Sequence, residues 1–308
     1  MDYLSQLSHI LFDAILFFRY SPLNMRFPHF IVPLFVGFSL SAPVDAAAIF
    51  AQGVTEQSGW YDTNKTGNND GNLCWAAAAS NVLQWWQDQG TYIPNGTPNG
   101  TVKGKPHQTV IFDNFKENWK NVGNGAENGF RWYLGGNPLN PNLVDNALKN
   151  KDSGKYWEQY INSIGYNTST WYQDFPAVTM GYSFDPNFDF AATFVPTMIN
   201  LFNSGAGITL GLAPTFPAAG HEITLWGLTY DENNILTSLY YTDSDDGKDL
   251  LIESKVSFVG ETIYMSDYPN YTINYYTALT LPFAIPEPSS VLLSLLGGSL
   301  LCLSRRRR

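Results

Sequence analysis

The chain has 308 residues, 44% hydrophobic, 15% aromatic and 14% charged, a composition that builds a large core and excludes a disordered chain. Lys and Arg number 17 against 27 Asp and Glu, net −10, and four of the seven arginines stand together at Arg305 to Arg308, so the body offers no basic patch to nucleic acid. Two cysteines, Cys74 and Cys302, exclude a disulfide scaffold and any structural zinc site that needs several thiolates.

Residues 1–24 read as a non-structural extension or a mis-assigned start, with Asp2 ahead of a mixed stretch ending at Arg19. Met25 opens the three-part layout of a secretory signal over residues 25–48. Arg26 is its positive end, Ile31 to Pro43 its apolar run, and Val44-Asp45-Ala46 or Ala46-Ala47-Ala48 its cleavage site. The apolar run is short for a span of about 20 residues, which argues against an uncleaved anchor.

The body is expected to be one domain over residues 49–282. Residues 53–72, rich in Gly, Asn and Thr, read as loop. Asn72 is placed to cap a helix from about Leu73 to Gln87, with Gly90 as its stop. On that helix Cys74, Ala78, Asn81 and Trp85 share a face, and Ala76 to Ala79 leaves room for another element to approach. Residues 91–108 read as loop and 109–165 as helical segments, clearest at 142–149 and 155–164. A helix over 189–203 is interrupted by Pro196. Strands are expected at 207–213, 222–230, 235–242, 250–259 and 273–281. Helices first and strands later predict an α+β fold, an antiparallel sheet packed on the Cys74 helix.

Residues 283–308 carry Pro286-Glu287-Pro288, the thirteen-residue apolar run Val291 to Leu303, and the arginine cluster. The run is too short for a comfortable span, yet the basic end fits retention at the cytoplasmic face. This order resembles the PEP-CTERM sorting tail of exported bacterial proteins. The resemblance implies an exosortase-type sorting enzyme as partner, transient membrane association through the tail, and a destination at the cell surface, in the extracellular matrix or secreted. A plain C-terminal membrane anchor is the alternative. Without both ends the body keeps 11 basic and 23 acidic residues, net near −12, and Cys74 as its only cysteine.

In the first turn of a helix, unpaired N–H groups and the positive end of the dipole favour a thiolate, so Cys74 is a candidate nucleophile; a small buried hydrophobe is the alternative. Two histidines could serve as its base. His107 sits in the Gly/Pro-rich loop and reads as solvated, whereas His221 opens a strand, a rigid place from which to face a helix terminus. Asp243 and Asp245, spaced by one residue at the end of another strand, point the same way if that strand continues. One of them could accept the imidazole Nδ1 proton and orient the ring. The acidic run is not an EF-hand loop, because Gly247 comes one position early and Ser254 stands where the glutamate belongs; an ordinary acidic turn is the alternative.

Gly59-Trp60-Tyr61-Asp62, Lys65-Thr66, Leu73-Cys74-Trp75-Ala76-Ala77, Ser80-Asn81, Trp85-Trp86, Asp88-Gln89, His221, Leu225-Trp226-Gly227 and Tyr241-Thr242-Asp243-Ser244-Asp245 together resemble the IdeS/Mac family of IgG-degrading cysteine endopeptidases. The resemblance covers most of residues 53–282 and is faint between about 91 and 205. It implies a papain-like fold and a triad of Cys74 as nucleophile, His221 as general base and then acid, and Asp243 orienting His221. It further implies that Asp245 supports the site and that Lys65 helps the Cys74 amide form an oxyanion hole; by itself Lys65 reads as a solvated loop lysine. No metal or organic cofactor is implied. Trp75 departs from the small residue of streptococcal members, and the faint middle is where recognition loops would lie. The substrate is therefore a protein, immunoglobulin-like or different. Two other functions fit the same residues: a non-catalytic surface adhesin or matrix module, and an acyl transferase or amidase using the same thiol.

Overall fold

The computed structural model describes residues 47–90, 92–144, 153–163, 165, 178–182 and 190–280. The extension, most of the secretory signal and the sorting tail lie outside the described residues. Strand β1 (Ala47–Phe50) comes first, then helices α1 (Cys74–Gln89), α2 (Val110–Asn118) and α3 (Ala126–Gly135). A short 3₁₀ turn (Pro141–Leu143), α4 (Glu158–Ser163), β2 (Val178–Tyr182) and α5 (Phe190–Asn203) follow. The sheet is completed by β3 (Ala206–Pro214), β4 (His221–Tyr230), β5 (Leu236–Thr242), β6 (Ile252–Val259), β7 (Thr262–Met265) and β8 (Tyr268–Thr280).

The fold is mixed α+β, as the order of helices and strands predicts. The antiparallel sheet, however, closes on itself. Each strand from β3 to β8 pairs with the next, and β8 pairs back with β3, which gives a barrel-like ring. β1 extends β4 and β2 extends β8, both antiparallel. Bulges in β3–β8, β4–β5 and β7–β8 supply the extra twist that closure demands.

Four strands depart from the expectation: β1, β2 and β7 fall outside the expected strands, and β8 starts early. β7 is too short to show an alternating pattern, and β8 starts five residues ahead of the expected 273 because Tyr268, Tyr271 and Thr272 find partners on β7 and the end of β3. β1 starts at Ala47, inside the expected signal, because its alanines find Tyr230 and Thr229 of β4 as partners. Of the helix expected at 142–149 only the 3₁₀ turn at its start is seen, ending where Val144 bridges to Trp119; residues 145–149 lie outside the described residues.

α1 is buried nearly all round, which its alanine-rich sequence permits. Its expected face lies on the sheet. Asn81 donates to the Thr224 hydroxyl at 3.1 Å, the Ala78 carbonyl accepts from that hydroxyl at 3.5 Å, and Trp85 meets Trp226 edge to face. Close approach requires glycine at two crossings. A Cβ on Gly207 of β3 would stand 2.7 Å from Val82, and one on Gly129 of α3 would stand 3.2 Å from Ala79, Phe115 and Trp75. Beneath α1 the aromatic set Trp75, Phe115, Trp119, Trp132 and Tyr133 forms the helical half of the core.

Candidate active site

Cys74 is the first residue of α1 and is half-buried, with its thiol free. The loop before it is tied down locally. The Thr66 amide and hydroxyl each donate to Asp70 Oδ2 at 3.0 Å, the Leu73 amide donates to the Asp70 carbonyl at 2.9 Å, and Asn69 turns the chain with φ of 64°. The expected Asn72 cap is not formed: Leu73 holds the cap position with no side-chain bond to the helix. Asn72 is drawn off by the loop packed beside it, its amide donating to Asn121 Oδ1 at 2.8 Å and its Nδ2 to the Asn121 carbonyl at 3.2 Å. The start of α1 therefore has no side-chain cap, beside a cleft of about 630 Å³.

That cleft is lined on the helical side by Lys65, Gly71, Asn72, Cys74 and Asn124. His221, Glu222, Asp245, Tyr268, Tyr271 and Tyr275 line it from the sheet. His221 opens β4 and shares the cleft lining with Cys74, whose thiol interacts electrostatically with the ring. Nε2 lies 2.7 Å from Asp243 Oδ1, and Nδ1 lies 3.6 Å from Asp245 Oδ2. The expectation that a carboxylate holds Nδ1 is thus corrected for Asp243, which takes the opposite nitrogen because the strand ends bring it up on the far side of the ring. Asp243 itself is fixed by the Tyr268 hydroxyl donating to Oδ2 and by the Asp245 amide donating to Oδ1 at 2.9 Å.

Lys65 is not solvated. Its side chain is 6% exposed, with Nζ 2.6 Å from Asp245 Oδ1 and donating to the Gly71 carbonyl at 2.7 Å, while its amide donates to the Ser244 carbonyl. One lysine therefore links the loop before Cys74 to the acidic turn after β5. His107 is a second correction. It is half-buried and stacked on Trp60 at 4.0 Å, with Nδ1 3.0 Å from the Trp60 carbonyl, because the aromatic ring covers a loop that sequence alone leaves open.

The five candidate residues Cys74, His221, Asp243, Asp245 and Lys65 thus converge on one cleft end. Burial alone would lower the His221 pKa; the hydrogen bond to Asp243 and the interactions with the Asp243 and Cys74 charges outweigh it and push it up to about 10. For Asp243 burial works upward, and the His221 hydrogen bond and charge, aided by Tyr268 and the Asp245 amide, hold the carboxyl below its ordinary value. Both directions favour an imidazolium beside a carboxylate. Nearby Asp62 goes the other way: burial raises it, the Leu250 amide resists, and the charges of Asp246, Asp249 and Asp243 carry it to about 8.

Sequence reasoning missed Tyr268 and Glu222. Nothing marks Tyr268 beyond its place beside Asp267 and Pro269, since its role depends on a strand 25 residues away. Glu222 did carry a signal, a charge opening the apolar run Ile223-Thr224-Leu225-Trp226. Among the described residues no three or more His, Cys, Asp or Glu side chains are arranged to hold a metal ion, and no helix is long and apolar enough to cross a membrane.

Residues 43–98, the block that carries Lys65 and Cys74, match the family described as Mac 1, an IgG-degrading protease family. Residues 284–308 match the PEP-CTERM protein-sorting motif, which indicates export, recognition by an exosortase-type enzyme and C-terminal sorting to the cell envelope. A curated relative, the IgM protease of Streptococcus suis (strain P1/7), is 25% identical over 228 residues, a match that takes in 61% of this chain. The chain spans 18% of that relative's length. The resemblance to the IdeS/Mac proteases is thus borne out over the block around Cys74, in a chain that ends in a PEP-CTERM sorting motif.

Proposed function

We propose that the protein is an exported cysteine endopeptidase of papain-like architecture, hydrolysing peptide bonds in a protein substrate. The observation that carries this reading is His221, which lines one cleft with Cys74 while its Nε2 lies 2.7 Å from Asp243 Oδ1. A thiolate–imidazolium pair is the reactive form of a thiol protease. Cys74 Sγ attacks the scissile carbonyl carbon, and the carbonyl π electrons move onto oxygen. The Cys74 amide and Lys65 Nζ, at the same cleft end, stabilise that oxyanion. The tetrahedral adduct collapses as the C–N bond breaks, and Nδ1 of His221 gives its proton to the leaving amine. A thioester on Cys74 remains. Water then attacks the thioester carbonyl and gives one proton to His221, the C–S bond breaks to regenerate the thiolate, and the new carboxylic acid loses its remaining proton to solvent. Asp243 keeps Nε2 protonated and stabilises the imidazolium throughout, while Asp245 holds Lys65 in place.

Export in this reading begins with cleavage after Ala46, which leaves β1 whole; a cut after Ala48 would remove half of the strand. The substrate class is tested directly. The purified protein is incubated with casein, IgG and IgM, beside protein pre-treated with iodoacetamide and the Cys74→Ala variant. Cleavage of at least one substrate, abolished by either treatment, is the expected result, and turnover by Cys74→Ala equal to wild type would sink the assignment.

A further inference from the structure

Glu222 follows His221 on β4, is 2% exposed, and lines the cleft from beneath. A buried carboxylate is costly unless donors surround it, and this one takes three from three elements. The Ala126 amide at the start of α3 donates to Oε2 at 3.1 Å, the Thr209 hydroxyl of β3 donates to Oε1 at 2.6 Å, and the Tyr275 hydroxyl of β8 donates to Oε2 at 3.0 Å. The Ala126 donor closes the Gly123–Asn124 segment that forms part of the helical wall, and the other two belong to the sheet. Glycine at 211, paired with Tyr275, makes room for this ring, since a Cβ there would stand 2.0 Å from it.

We propose that Glu222 is a positioning residue of this cleft, its carboxylate binding the start of α3 to β3 and β8 and setting its charge beside the His221 imidazolium. Two states follow. As a carboxylate Glu222 accepts all three donors and favours the protonated ring of the Cys74–His221 pair. As an acid it spends one oxygen on its own proton, gives up a share of the clamp and withdraws its charge. Burial moves this exchange into the neutral range: desolvation raises Glu222, the Thr209, Tyr275 and Ala126 donors and the His221 charge resist, and the balance stands at about 7. The groups around it are Tyr275 on β8, His221 on its own strand and Cys74 across the cleft; β3 brings only the Thr209 hydroxyl, and on α3 Glu127 is engaged by Arg131 at 2.5 Å.

The activity readout rests on the peptidase reading, whereas alkylation of Cys74 by iodoacetamide does not. Both are measured from pH 5 to 9 on the purified protein and two variants. In the wild type each rate rises through a step near pH 7 as Glu222 ionises. Glu222→Gln, which keeps the shape and removes the charge, loses the step and alkylates about tenfold more slowly at pH 8. Tyr275→Phe deletes one donor to the carboxylate and moves the step to higher pH. A role confined to folding predicts variants whose profiles are scaled down without any change of shape, and that result overturns the proposal, as does a step that stays in place in Tyr275→Phe. Should the wild type cleave nothing while the alkylation step responds as described, the peptidase reading falls and the positioning role stands.

Discussion

The helical wall of the cleft holds Cys74 by packing, whereas the sheet wall holds His221 and its acids by charge. On the helical side α1 is wedged between aromatic rings and glycine crossings. On the sheet side Asp243, Asp245 and Tyr268 stand around one imidazole, and Lys65 reaches across from the helical side to Asp245. A nucleophile needs only a fixed position and an open terminus, but a base needs its charge states set, and strand ends can bring several ionised groups to one ring. The two walls should therefore fail differently when mutated.

The largest effect is expected on the charged wall. Asp243→Asn leaves the packing intact but removes the charge that favours imidazolium, and kcat/KM against the protein substrate should fall by about two to four orders of magnitude. The same variant changes the pH dependence of stability. His221 is raised from 6.5 to about 10, so its contribution is complete below pH 6.5 and disappears as pH rises toward 10. Asp243, lowered from 3.8, contributes above that value and loses its contribution as pH falls through its native pKa. Denaturant midpoints of Asp243→Asn measured across pH 6.5 to 10 should be flatter than those of the wild type; identical slopes would show that the pair adds nothing to folding.

The packed wall is probed next by Trp75→Ala. Trp75 is fully buried, its indole N–H donates to the Val122 carbonyl at 3.1 Å, and its ring meets Trp119 at 4.9 Å and Phe115 at 5.8 Å. Removing it should cost about 3 to 5 kcal/mol of unfolding free energy. A loss below about 1 kcal/mol would mean that aromatic packing does not hold the start of α1.

Lys65→Met tests the one residue that joins the walls. It deletes the ion pair to Asp245 and an ammonium that lines the same cleft as Cys74, so kcat should drop about a hundredfold. Thermal stability should change little by comparison, because Asp245 is 48% exposed and can return to water. A variant that lost stability but kept its turnover would place Lys65 with the packed wall instead.

What the sequence reveals follows range. Gly90 as the end of α1, the shared face of Ala78, Asn81 and Trp85, the helix around 190–203 and four of the later strands are local patterns, and these survive translation into structure, although α5 runs through Pro196 without the expected interruption. The Asn72 cap fails because its competitor, Asn121, is 49 residues away and invisible to a helix rule. Likewise the stacking of His107 on Trp60 and the burial of Lys65 depend on loops meeting in space. Neither residue type nor spacing announces such meetings.

By itself the sequence determined a lone thiol at a helix start, a histidine opening a strand, two aspartates after another strand, and a sorting tail beyond an α+β body. Only the tertiary structure decided that the sheet closes on itself, that Asp243 takes Nε2 and not Nδ1 of His221, and that Tyr268 and Glu222 attend the site. The physical reason is that period and propensity act over a few residues, whereas a ring nitrogen, a buried carboxylate and a closed barrel are fixed by partners that folding alone brings together.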